Sequence, residues 1–207
     1  MTSTDQALSA AIDTPLVDHH CHGVSPAELD FTQFQALFSE SYRAPPKGTT
    51  EFQKPLGLAI RRFCAPLLDL EPSCKAEAYV ERRLALGAAE VNRRLLRASG
   101  MEMLLIDTGH RSNAILDVPA MAQAAARPAR EIGRIESVAE QVAQSGVSGE
   151  AFSEALADAL AARARDAVGL KSIVAYRCTF KIDQTPQSRA EVVAAASALT
   201  HLVDGAG

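Results

Sequence analysis

Two rhythms of apolar residues alternate along this chain. Short runs that stop abruptly at polar residues predict strands, and apolar positions recurring every three or four residues predict helices. The first run, Leu16-Val17, leads into Asp18-His19-His20-Cys21-His22 and is closed by Gly23. A second, Met101 to Ile106, breaks at Asp107-Thr108-Gly109-His110, as a strand buried on both faces does when its end opens into a site. Ala129 to Ile135 is a weaker strand candidate ending in Glu136. Leu170-Lys171-Ser172-Ile173-Val174-Ala175-Tyr176-Arg177 reads as a fourth strand.

Between these runs the pattern is helical. Ser3 to Ile12 opens with capping-box spacing at Ser3 and Gln6 and stops before Pro15. Phe31, Phe34, Leu37 and Phe38 follow a candidate cap at Asp30 and make one buried helix face. Tyr42 to Lys54 is turn-rich and predicts a loop or flap. Helix is expected from Leu56 to Leu70, and again from Lys75 to Ser99 with Gly100 as the stop. The second of these mixes Arg82, Arg83, Arg93, Arg94 and Arg97 with Glu77, Glu81 and Glu90, the marks of a solvated face. Further helices are predicted over Val138–Gln144, from Ser148 to about Val168, and from Ser188 to about Val203. Strands alternating with helices predict an α/β fold with a parallel sheet.

Composition narrows the function classes. With 207 residues, 47% hydrophobic and 22% charged, the chain reads as one ordinary globular domain. A net charge of −4 with scattered basic residues leaves no nucleic-acid footprint. The apolar runs are too short and too often broken by charge for a membrane span. No basic-then-apolar leader precedes them, so a cytoplasmic protein is expected. The cysteines Cys21, Cys64, Cys74 and Cys178 form no C-x-x-C pair, which argues for free thiols over a structural zinc site.

The chemistry concentrates at the predicted strand ends. On a strand, His20 and His22 point to the same side and Cys21 to the other. Two imidazoles converging in this way can supply two nitrogen ligands to a divalent metal. The alternative is a pair of solvated or hydrogen-bonded histidines. Asp107 with His110, Glu136, and Tyr176 with Arg177 mark the other strand ends, where parallel α/β folds build their sites.

These segments carry a resemblance. Asp18-His19-His20-Cys21-His22 is similar to the Asp-x-His-x-His signature of the amidohydrolase superfamily. Leu105-Ile106-Asp107-Thr108-Gly109, Arg134-Ile135-Glu136 and Gly169 to Arg177 resemble its amidohydrolase-2 (amidohydrolase-related) branch, including domains linked to glutamine synthetase-like proteins. The resemblance implies a metal-dependent (β/α)8 TIM barrel, with about the first four β/α units present across residues 1–207 and a helical insertion at about 25–99. It further implies a divalent metal, often zinc, on His20 and His22, and water attack on the carbonyl of an amide or related C–N bond. Decarboxylation or isomerisation on the same scaffold is a rival, and so is a non-catalytic half-barrel binding module.

A small-molecule substrate is expected. Arg177 suits one bearing a carboxylate, with a surface salt bridge as its other reading. Glu136 and His110 are candidates for orienting a ligand or lining the pocket, and Asp18 for the same role. Some superfamily members bridge two metals with a carboxylated lysine on the fourth strand. Lys171, however, falls near the start of the predicted strand, about 16 Å below Tyr176 at ~3.3 Å per residue, which favours a structural role and a one-metal site. The later histidine and aspartate of the superfamily pattern are not in this chain. The isolated chain is therefore expected to be inactive and to self-associate through exposed strand edges.

Overall fold

The computed structural model describes residues 14–41, 46–110, 113–183 and 185–204. The helix predicted over Ser3–Ile12 lies outside them, as does the start of the predicted flap. The chain forms two compact units. One comprises the chain up to Asp18 with Val24–Met103 and Asn113–Pro128. The other comprises His19–Gly23, Leu104–Ser112 and Ala129 onward.

The first unit is helical. Helix α1 (Phe31–Ala36) starts at a capping box in which Asp30 accepts from the Gln33 amide and Gln33 reaches back to the Asp30 amide. Helix α2 (Pro55–Ala59) carries proline at its first position and passes into a π turn at Ile60–Cys64 and a 3-10 turn at Pro66–Leu68. The single helix expected from Lys75 to Ser99 is two, α3 (Ala76–Leu86) and α4 (Ala88–Ala98). Gly87 stands between them at φ +79°, a backbone conformation that side-chain-bearing residues resist. The apolar period runs on through the break, which hides it from pattern analysis. Helix α5 (Val118–Ala125) is capped by Asp117. Phe34, Phe52, Leu68, Tyr79, Val80 and Val91 form the core, with Phe31 and Phe38 packed against it. Of the predicted helix face, Phe34 is buried, Phe31 and Phe38 are partly buried, and Leu37 is half exposed.

The second unit holds most of the sheet. Strands β1 (Leu16–Cys21), β2 (Met101–Asp107), β3 (Ala129–Arg134) and β4 (Gly169–Lys171) lie in the order β1-β2-β3-β4. β2 pairs with β3, and β3 with β4, in parallel. Helices α6 (Ile135–Gln144), α7 (Phe152–Asp166) and α9 (Arg189–Asp204) pack together around Val142, Ala143, Phe152 and Ala196.

The sheet corrects two expectations. The α/β class holds, but the eight-stranded TIM barrel does not. Among the described residues the sheet has four strands and remains an open, curled half-barrel. A small barrel of this kind closes with about eight tilted strands. The predicted fourth strand also ends early, at Lys171, and Val174–Arg177 form a short helix, α8. Among the described residues no helix is long and apolar enough to cross a membrane.

Candidate functional site

Register determines which side chains meet. Asp107 lies opposite Ile132, Ile132 opposite Gly169, and Arg134 opposite Lys171. Residues opposite in register share a face, and so do residues two apart on one strand. Leu105, Asp107, Ile132, Arg134 and Lys171 therefore fall on one side of the sheet. Asp107, Arg134 and Lys171 are the last residues of β2, β3 and β4. The carboxyl ends of three parallel strands thus deliver a carboxylate, a guanidinium and an ammonium to one place. His20, near the end of β1, joins them.

Asp107 is the hub. Its carboxyl is 1% exposed and pairs with Arg134 at 2.5 Å and with the Lys171 Nζ at 3.0 Å. The Gly109 amide donates to its other oxygen at 2.9 Å. Burial alone would push this carboxyl up. The hydrogen bonds from Arg134, Lys171 and Gly109 outweigh burial and hold it down at about 2. Gly109 is needed for close approach, since a Cβ there would come within 2.7 Å of the Arg134 Cβ and 2.8 Å of the Ser137 Oγ.

The two histidines are held from different sides. His22 Nδ1 lies 3.0 Å from the Asp107 backbone carbonyl. A carbonyl only accepts, so in the neutral ring Nδ1 carries the proton and Nε2 keeps its lone pair. This is how metal-binding imidazoles are commonly oriented. His20 Nε2 lies 2.5 Å from the Lys171 Nζ. An ammonium only donates, so the His20 nitrogen there also presents its lone pair. The two ring centroids are 6.1 Å apart. Imidazoles sharing one tetrahedral ion through nitrogens at ~2.1 Å have centroids about 5.3 Å apart, so sharing a metal asks these rings to approach by about 0.8 Å. The Lys171 ammonium, bound by His20 and Asp107, is a cation on one of these two imidazoles. Among the described residues no group of three or more His, Cys, Asp or Glu is placed to hold an ion together.

His19, His20, Leu105, Asp107, Ile132 and Lys171 line a cavity of about 250 Å³. The His110 ring stands 4.8 Å from that of His22. Cys21 Sγ, as its alternation predicts, turns away and donates to the Leu105 carbonyl at 3.5 Å. Glu136 accepts from the Ser172 hydroxyl at 2.5 Å and the Ile173 amide at 3.0 Å, and so pins the turn after β4. Burial raises its carboxyl, and those bonds bring it below the usual range. Arg177 sits exposed on α8, in no ion pair among the described residues.

Sequence reasoning put Lys171 at the wrong end of its strand. Ile173-Val174-Ala175-Tyr176 is apolar enough to extend a strand pattern, and only the turn at Ser172 reveals the stop. Arg134 gave no chemical signal of its own, because its partner is 27 positions away.

No family model matches the chain, and no curated protein does. A solved structure from Lactobacillus casei ATCC 334, a "putative metal-dependent hydrolase", shares its fold with a TM-score of 0.68 and 26% identity over 94% of this chain. The match takes in 51% of that structure's chain, so the present chain spans about half its length.

Proposed function

We propose that this chain supplies part of the active site of a metal-dependent hydrolase of an amide or related carbon–nitrogen bond, with His20 and His22 as two ligands of a divalent ion such as zinc. The observation that carries this reading is the pairing of two imidazoles whose Nε2 lone pairs sit at one sheet end, with His22 oriented by the Asp107 carbonyl. The Asp18-x-His20-x-His22 signature supports an amidohydrolase-type reaction. The likeness to the hydrolase from Lactobacillus casei supports metal chemistry on this fold.

When bound, a metal of this kind lowers the pKa of its water to about 7 and polarises a carbonyl. This chain's own residues hold and orient. Asp107, kept ionised by Arg134 and Lys171, anchors the loop that carries Gly109 and presents its backbone carbonyl to His22. Leu105 and Ile132 give the cavity an apolar wall. His110 lines the same end beside His22. Arg177, exposed on α8, is the group suited to an acidic substituent on the substrate.

Zinc titration by calorimetry tests the ligand assignment. The wild-type chain should bind zinc weakly in the titration, as two ligands allow, and the His20→Ala/His22→Ala double variant should not bind it. Equal zinc binding by the two proteins would sink the reading.

A further inference from the structure

Lys171 holds two partners that compete for different things. Its Nζ donates to His20 Nε2 at 2.5 Å and to Asp107 Oδ2 at 3.0 Å. The side chain is 20% exposed, so it is held at the cavity wall, which it also lines. His20 Nε2 has one lone pair, and that pair is engaged by the ammonium. A metal ion bound through this nitrogen needs the same pair. The two cations cannot share it, and their mutual repulsion in a partly enclosed site adds to the exclusion.

We infer that Lys171 is a built-in competitor for the metal: its ammonium occupies His20 in the metal-free chain, and when an ion binds it releases His20 and keeps Asp107. This rests on the reading of His20 and His22 as metal ligands. Asp107 makes the exchange feasible. It is already an Lys171 partner, and Arg134, 10% exposed and 2.5 Å from the same carboxylate oxygen, keeps that oxygen in place throughout. Lys171 thus loses one hydrogen bond without becoming an orphaned buried charge. On this account Lys171 sets how tightly the ion is held, and it is a positioning residue for His20.

The test uses the whole chain and zinc alone. Zinc affinity is measured by competition with a chromophoric chelator for wild type, Lys171→Met and His20→Ala/His22→Ala. Lys171→Met, which has no ammonium to displace, should bind zinc about 10- to 100-fold more tightly, as expected for removing one competing charge-assisted hydrogen bond. A second readout needs no variant. Acetylation of Lys171 by a water-soluble acylating reagent, followed by peptide mass spectrometry, should speed up several-fold when zinc is added to the wild type. Weaker or equal zinc binding in Lys171→Met, or slower Lys171 acetylation with zinc, would make Lys171 a ligand or a bystander and overturn the competitor role. In that case the ligand assignment would survive, provided the double histidine variant still loses zinc. Zinc binding that is indifferent to both histidines would overturn both readings.

Discussion

Replacing Arg134 by Met keeps much of the side chain's volume and removes the guanidinium that holds the Asp107 carboxylate. Asp107 is 1% exposed and Arg134 10%, so this is a buried pair. Breaking such a pair from one side costs about 3–5 kcal/mol when the other charge is left alone. Asp107 would keep Lys171 at 3.0 Å and the Gly109 amide at 2.9 Å, which puts the expected cost below that range. A second route gives a similar size. Holding the carboxyl at about 2 instead of 3.8 corresponds to about 2.5 kcal/mol at neutral pH. Water in the adjoining cavity screens part of it, and Arg134 supplies a share of the rest. Together these give about 1.5–3 kcal/mol.

The sign with pH follows from the depressed value. The contribution is complete above the unfolded pKa near 4 and is lost as pH falls through about 2. In urea unfolding of the metal-free chain, followed by circular dichroism, Arg134→Met should therefore be less stable at pH 7. It should also lose less stability than wild type between pH 4 and pH 2. A variant within about 0.5 kcal/mol of wild type at pH 7, with the same acid slope, would refute this account of the hub.

Other perturbations probe separate parts. Gly109→Ala forces its new methyl to within 2.7 Å of the Arg134 Cβ, and should destabilise by about 1–3 kcal/mol; an unchanged melting temperature would count against that contact. Tyr79, 1% exposed, is pushed up to about 12 by burial, against the pull of Arg83. A raised value means stability present below pH 10 and lost as pH rises towards 12, by up to about 2.7 kcal/mol. Tyr79→Phe should flatten that alkaline loss, and identical alkaline profiles would contradict it. Asp117 accepts from the Ala120 amide at 2.8 Å at the start of α5, so Asp117→Ala should cost about 1 kcal/mol in urea unfolding, and no loss would argue against the cap.

Much of the local structure was legible in the sequence because it is decided by neighbours along the chain. Asp30 and Gln33 begin a helix wherever it is placed, and Leu104 to Ile106 is apolar enough to be a buried strand in any sheet. The alternation along β1 also put His20 and His22 on one side, and their ring centroids lie 6.1 Å apart. What the chain could not state locally is where a pattern stops and what it meets. Gly87 breaks one helical period into two helices, and the turn at Ser172 cuts a strand to Gly169–Lys171. That second stop decides the site. It moves Lys171 from the far end of a strand to the end where His20 and Asp107 wait, 151 and 64 positions earlier in the chain. Residue type and spacing determine which groups can bind an ion. Strand register, a property of hydrogen bonds between distant segments, determines that a lysine, an arginine and an aspartate arrive with them.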